Sequence, residues 1–385
     1  MIRTLAVENY RSLRRLVVRL GRLTVVTGAN GTGKSSLYRS LRLLAASASG
    51  GAVAALAAEG GLAATLWAGP ETSLKSLRDG RPVQGTTRTE PVGLRLGFAD
   101  EDFGYAMDLG LPVPSSTAFD RDPEYKREVV WAGEVLRPAT VLCDRGGTTV
   151  RLRDADGGWA SGHDTLRPFD SMLAELADPR RAPELMRLRE RIRSWRFYDH
   201  FRTDADAPAR MPRLGTRTPV LSHDGADLAA ALQTIREIGD VDALDAAIEQ
   251  AFPGSTVGIG TDGGRFDVRL RQHGLLRPLG AAELSDGTMR YLLLAAALLT
   301  PRPPALMVLN EPETSLHPDL IRPLASLIHT AARTTQIIVV THSRPLALAL
   351  DDGDASPIEL VKEFGHTLVA DQGVLDEPPW HWPKR

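Results

Sequence analysis

The run Gly28-Ala29-Asn30-Gly31-Thr32-Gly33-Lys34-Ser35 constrains this chain more than any other stretch. It fits G-x-x-x-x-G-K-[ST]. The glycines let successive backbone N–H groups turn inward around an anion, and the lysine adds a point charge. Its flanks are the ones such a loop demands. Leu23-Thr24-Val25-Val26 is a short β-rich run, and Ser36 to Ala46 predicts a helix with Leu37, Leu41 and Leu44 at helical spacing. A helix starting there aims its positive dipole end at the same anion. Strand, glycine loop and helix therefore predict a site for nucleotide phosphates, lined by Gly28 to Ser35 with Ser36. Lys34 meets the β- and γ-phosphates and the Ser35 hydroxyl faces Mg²⁺.

Three later segments carry further chemistry. Ala305-Leu306-Met307-Val308-Leu309-Asn310-Glu311-Pro312 is an apolar run ending in Asn310 and Glu311. It predicts a buried strand whose tip either presents Asn310 to a metal through a water and Glu311 as general base, or, equally, ends in an ordinary polar turn Glu311-Pro312-Glu313. Glu283-Leu284-Ser285-Asp286-Gly287-Thr288 precedes the apolar helix Tyr291 to Leu299. Serine, a small turn and a helix start suit an anion, and equally suit an ordinary helix cap. Ile337-Ile338-Val339-Val340-Thr341-His342-Ser343 sets a histidine just beyond a buried strand, where it can reach a γ-phosphate or serve only the structure, as a lone histidine more often does.

Between these motifs the pattern changes. Ile2, Leu5 and Val7, then Leu16, Val18 and Leu20, predict two strands joined at Asn9-Tyr10-Arg11-Ser12. Residues 47 to 70 are rich in Ala and Gly and read as a loop or a weak helix. Short strands are expected at Val92 to Phe98, Phe103 to Leu109, Val129 to Val135 and Val150 to Arg153. Helices are expected from Phe169 to Trp195, broken near Pro179 to Pro183, and from Ala226 to Phe252. The last third returns to buried strands alternating with helices, as in a parallel sheet. The expected organisation is an α/β nucleotide-binding core from residues 1–50 and 275–385, with 51–274 inserted as a lobe of strands and helices.

With 43 % apolar and 24 % charged residues the chain is an ordinary globular one. A net charge of -2 gives no global pull toward nucleic acid or membrane, so such binding needs a local patch. The lone Cys143 excludes an internal disulfide and a cysteine-based metal site. No signal pattern opens the sequence, and the apolar stretch Leu292 to Leu299 is far short of the ~20 residues that span a bilayer. The expectation is a cytoplasmic protein without membrane partners.

The four motifs stand in the order phosphate loop, Ser-x-Gly, acidic strand tip, strand-histidine. With Glu8-Asn9-Tyr10-Arg11-Ser12-Leu13 ahead of the loop and Asn310-Glu311-Pro312-Glu313-Thr314-Ser315-Leu316-His317-Pro318 after the strand, the chain resembles the RecF/SMC-like branch of ABC-type ATPases, the RecF-like subgroup of predicted AAA-type ATPases. The resemblance is firm over residues 1–45 and 280–345 and looser from Trp195 to Gly254. It implies a P-loop NTPase head of the ABC/SMC type, ATP and Mg²⁺ as cofactors, and an ATP-driven homodimer. In the signature Ser285-Asp286-Gly287, Ser285 and Gly287 of one subunit would meet the γ-phosphate of ATP held by the other. Glu311 would activate water, His342 would sense the γ-phosphate, Arg11 would lie near the nucleotide, and Thr314 to His317 would form a dimer-contacting loop.

Three positions depart from the family pattern. Asn310 replaces an aspartate. Its amide can bond a Mg²⁺-bound water but brings no charge, so hydrolysis is expected to be slow. Asp286 stands where a small residue is common, and its carboxylate must turn from a phosphate, as in capping its helix. No glutamine is placed in the Q-loop, Gln84 being a poor candidate.

The resemblance implies a role in DNA repair or recombination, with double-stranded DNA as partner. The residues that would serve it are Arg180, Arg181, Arg187, Arg189, Arg191, Arg193 and Arg196, which also suit a solvated helix face. The alternative is a nucleotide switch in a phage-defence or toxin–antitoxin system with a separate effector protein. The stretch after His342 is too short for the Toprim nuclease that OLD-type relatives append, which motivates this second reading. A transporter subunit is disfavoured by the large insertion.

Overall fold

The computed structural model describes every residue except 71–92, 115, 155, 161–163, 177, 352 and 374. Gln84 and Val92 therefore lie outside the described residues. Contacts divide the chain into two units. One comprises Met1–Gly21, Gly28–Trp195 and Ile358–Arg385, the other Arg22–Thr27 and Arg196–Pro357.

In the first unit, strand-forming runs pair mostly with their sequence neighbours, as short connections favour. Among the described residues, eight strands form an antiparallel sheet. Its order is Leu13–Arg19, Ile2–Tyr10, Leu94–Asp100, Phe103–Gly110, Glu124–Ala132, Val141–Gly146, Thr149–Leu152 and Asp164–Thr165. The strand expected at Val129 to Val135 starts earlier and stops at Ala132, where Gly133 turns the chain at φ 77°. Phe98, Tyr105 and Trp131 are fully buried on this sheet. The Ala/Gly stretch contains two short helices, Ala52–Ala58 and Leu62–Thr65. The helix expected from Phe169 to Trp195 is reduced to Met172–Glu175 and Pro183–Arg193. Pro183 opens the second in the helical position that tolerates it.

A buried ion pair ties this unit together. Arg145 and Glu128 are both fully buried and 3.0 Å apart. Glu128 also accepts from Tyr105 Oη (2.8 Å), Ser171 Oγ (2.6 Å) and the Met172 amide (2.8 Å). Arg145 donates to the carbonyls of Gly147 and Arg167 at 2.8 and 2.9 Å and to that of Asp170. Both charges are thus matched by hydrogen bonds, the condition for keeping them out of water.

The second unit is built on parallel strands. Among the described residues their order is Arg196–Tyr198, Leu306–Asn310, Gln336–Val340 and Leu23–Gly28, the last belonging to this unit through Thr27. Leu306 to Leu309 and Ile337 to Val340 are at most 1 % exposed. This is why they read as continuous apolar runs rather than alternating ones. The helix Asp286–Leu298 is buried all along from Met289 to Leu298 and shares a core with Leu228–Ile238 and Ile321–Ala332. The helical stretch expected from Ala226 to Phe252 is two helices, Leu228–Ile238 and Val241–Ala251, separated at Gly239-Asp240, with Asp240 capping the second. Beyond these helices Thr256–Asp262 and Arg265–Arg271 form an antiparallel pair.

Candidate functional site

In the first unit the glycine loop leads into the helix Lys34–Ser47. Gly28, Gly31 and Gly33 take φ of 143°, 79° and 107°, conformations that L side chains rarely adopt. At Gly33 space is short as well, since a Cβ there would overlap Thr367 Oγ1. Thr367 donates to the Thr32 carbonyl (2.6 Å) and to Ser12 Oγ (2.8 Å), pinning the loop from behind. Thr32 Oγ1 donates to the Ala29 carbonyl at 2.9 Å. Lys34 is buried, and its Nζ donates to the carbonyls of Gly28 (2.6 Å) and Ala29 (3.1 Å), so the ammonium bridges the loop. No side chain caps the helix and no acid sits in its first turn. Its N-terminal amides and dipole are left to an anion. Ala29, Asn30 and Ser35 are exposed, and Ser36 is buried.

Arg11 lies at the turn after Ile2–Tyr10, with φ 51°. Its guanidinium is 2.6 Å from Glu59, which also accepts from Tyr10 Oη at 2.8 Å. The expected nucleotide neighbour is thus held by a carboxylate just past the helix Ala52–Ala58.

In the second unit the parallel register sets Asn310, Val340 and Val26 side by side at one end of the sheet. Two residues beyond Val26 the chain enters the glycine loop. Glu311 follows Asn310 with φ 48°, and its amide donates to the Val340 carbonyl at 2.7 Å. A left-handed φ is uncommon for a residue other than glycine, and the bond to Val340 holds it. His342 Nδ1 lies 3.4 Å from Glu311 Oε1 and 3.8 Å from Glu313 Oε1, and both His342 and Glu311 are partly exposed. Glu313 is buried and accepts from Thr341 Oγ1 and from the Ser343 amide at 3.2 Å. The strand-tip acid and the strand-histidine, expected separately, are therefore brought together, with Glu313 holding the turn that carries His342.

Asn310 has a partner that sequence reading missed. The strand Arg196–Tyr198 pairs in parallel with Leu306–Asn310, Tyr198 opposite Leu309. Asp199 emerges next, and Asn310 Nδ2 donates to its Oδ1 at 2.6 Å.

The Ser-x-Gly segment opens the helix Asp286–Leu298. Ser285 is the cap, accepting from the Thr288 amide at 3.2 Å. Asp286 does not cap, contrary to expectation. It accepts from Arg210 at 2.9 Å, and the buried Arg210 also binds the carbonyls of Ala281 and Leu284 at 2.7 and 2.8 Å. A cation thus balances the carboxylate that looked out of place beside a phosphate. A Cβ on Gly287 would come within 2.9 Å of the Ser315 carbonyl, so only glycine permits this approach. Ser285, Gly287, Thr288 and Ser315 to Leu320 line an open cleft of about 600 Å³. From the same helix the buried Arg290 donates to the carbonyls of Glu311 (3.0 Å), Phe201 (3.3 Å) and Pro312 (3.4 Å). Burial holds its pKa below the ordinary arginine value, against the pull of Glu313, Asp199 and Glu311.

The arginine row on Pro183–Arg193 is largely engaged within its own unit. Arg191 pairs with Asp100 and with Asp102 (2.8 Å), Arg193 with Glu190 (3.3 Å) and Arg181 with Asp164 (2.8 Å). Arg180 and Arg187 are exposed. Among the described residues no three His, Cys, Asp or Glu cluster as a metal site, and no helix is long and apolar enough to cross a membrane.

A family model described as AAA domain, putative AbiEii toxin, Type IV TA system matches residues 23–349. Solved structures are similar over nearly the whole chain. An SMC head bound to the C-winged helix domain of ScpA aligns at 14 % identity and TM-score 0.51, covering 97 % of this chain and 98 % of that one. The SMC head domain from Thermotoga maritima aligns at 14 % identity and TM-score 0.50, covering 97 % and 99 %. At that identity the likeness is one of fold, and the fold is the α/β P-loop NTPase head of the ABC/SMC type expected from the motifs. No curated protein matches the sequence.

Proposed function

The chain belongs to the AAA-domain family described as putative AbiEii toxin, Type IV TA system, and on that premise we propose that it binds ATP with Mg²⁺ and hydrolyses it slowly as an ATP-gated homodimer. Family and fold make the chain an ATPase of the AAA/SMC-like class. The observation that carries the proposal is the loop Gly28–Ser35, with its left-handed glycines, its uncapped helix and its buried lysine. The nucleotide-binding core is residues 1–50 and 275–385, with 51–274 inserted.

Ser35 and Asn310 offer hard oxygens, few in number. That suits Mg²⁺, which fills the rest of its octahedron with phosphate and water. When bound, the ion neutralises charge on the phosphates. Lys34 exchanges its two carbonyl partners for phosphate oxygens. Glu311 takes the proton of the attacking water, and His342 orients that carboxylate and reads the γ-phosphate. Ser285 and Gly287 of a second copy complete the phosphate shell. Arg11, fixed by Glu59, closes the loop's neighbourhood rather than binding phosphate directly.

Two roles were open for such an ATPase. Because Arg181, Arg191 and Arg193 are already paired with acids, the row makes a poor track for a DNA backbone. The family's description names a Type IV toxin–antitoxin system. We therefore place the nucleotide switch with a separate effector ahead of a DNA-repair role. Salt-sensitive, ATP-dependent DNA binding by the purified chain would reverse that order.

The nucleotide assignment is tested with a fluorescent ATP analogue. Lys34→Ala should weaken binding about 30-fold, the loss of a charge-assisted bond of roughly 2 kcal/mol. Equal affinity would remove the assignment.

A further inference from the structure

Asn310 leaves the strand tip without the charge that a carboxylate would bring, yet a carboxylate lies one hydrogen bond away. The parallel register Arg196↔Met307, Phe197↔Val308 and Tyr198↔Leu309 brings Asp199 out beside Asn310. Asn310 Nδ2 donates to Asp199 Oδ1 at 2.6 Å. A carboxylate only accepts, so this bond decides which end of the amide faces Asp199 and turns Asn310 Oδ1 the other way. Asp199 is half-buried. The Arg290 guanidinium, whose electrostatic field Asp199 shares, places its hydrogen bonds on the carbonyls of Glu311, Phe201 and Pro312 rather than on that carboxylate.

We infer that Asp199 is the positioning residue of the metal site, orienting the Asn310 carbonyl and supplying from the neighbouring strand the charge that Asn310 lacks. The inference rests on the ATP and Mg²⁺ reading above. A ligand-orienting carboxylate behind an oxygen donor raises the donor's effective basicity, and removing such partners commonly lowers metal affinity about 10- to 100-fold. The division of labour also makes a substitution at Asn310 alone unfavourable, since Asn310→Asp would replace the hydrogen bond to Asp199 with two carboxylates in contact.

The test is Mn²⁺ binding to the full chain loaded with a non-hydrolysable ATP analogue, followed by the electron paramagnetic resonance of free Mn²⁺. Asp199→Asn should lower Mn²⁺ affinity about 10- to 100-fold while metal-free ATP binding stays as in wild type. The exchanged pair Asn310→Asp with Asp199→Asn keeps one charge, one amide and the bond between them, and should restore affinity to near wild type. It also serves if Asp199→Asn alone folds poorly. Wild-type Mn²⁺ affinity in Asp199→Asn, or an exchanged pair as weak as the single variant, would overturn the inference. ATP binding indifferent to Lys34→Ala would overturn the nucleotide reading, and this inference with it. Intact ATP binding with a metal affinity indifferent to Asp199 would overturn this inference alone.

Discussion

At the scale of residues, each motif is a backbone problem before it is a chemical one. Glu311 can reach water only because its φ of 48° lifts it out of the strand line, and the Val340 carbonyl holds that turn. Its proposed role as base makes a sharp prediction. Glu311→Gln should leave ATP affinity unchanged and lower turnover about 10²- to 10⁴-fold, the usual worth of a positioned base. Equal losses in binding and turnover would instead mark Glu311 as structural. The motif residues themselves were legible in the sequence, because their spacing relative to apolar runs is a local property. Their partners were not. Asp199 is 111 positions from Asn310, Thr367 is 335 from Thr32, and Arg210 is 76 from Asp286. Only strand register and helix placement bring them together, and neither is written in a short window of sequence.

At the scale of elements, the helix Asp286–Leu298 does two jobs. Its N-terminus presents Ser285 and Gly287, and one and a half turns later Arg290 grips the Glu311 turn. The two therefore sit on one helix, within about two turns of each other. Ser285 is both cap and proposed phosphate ligand, and the two roles separate by substitution. Ser285→Ala should lose about 1 kcal/mol of stability with the cap. Ser285→Asn retains a cap and should keep its melting temperature while losing ATP turnover. If Ser285→Asn turns over ATP normally, capping is the residue's whole contribution. The buried runs Leu306–Asn310 and Gln336–Val340 were plain from composition. Other boundaries were less so. Pro183, Gly239 and Gly133 each ended or restarted an element that apolar periodicity alone would have extended.

At the scale of the whole molecule, each unit has its own source of stability. The first relies on the fully buried Glu128–Arg145 pair. Glu128→Gln should cost about 3–5 kcal/mol in chemical denaturation, because it leaves the guanidinium buried without its counter-charge. The same unit holds the chain's one thiol. Burial pushes the Cys143 pKa up to about 12, so the thiolate is scarce at neutral pH. A maleimide should label Cys143 only as fast as the unit opens, and labelling at the rate of a free thiol would show that the sheet around it is loose.

The central claim, that this chain is a working ATPase completed by a second copy, is met most directly by ATP hydrolysis per subunit measured across a range of protein concentrations, with Glu311→Gln alongside. The expected rate is slow, rises with concentration as dimers form, and vanishes in Glu311→Gln. A wild-type rate no greater than that of Glu311→Gln at every concentration would contradict it.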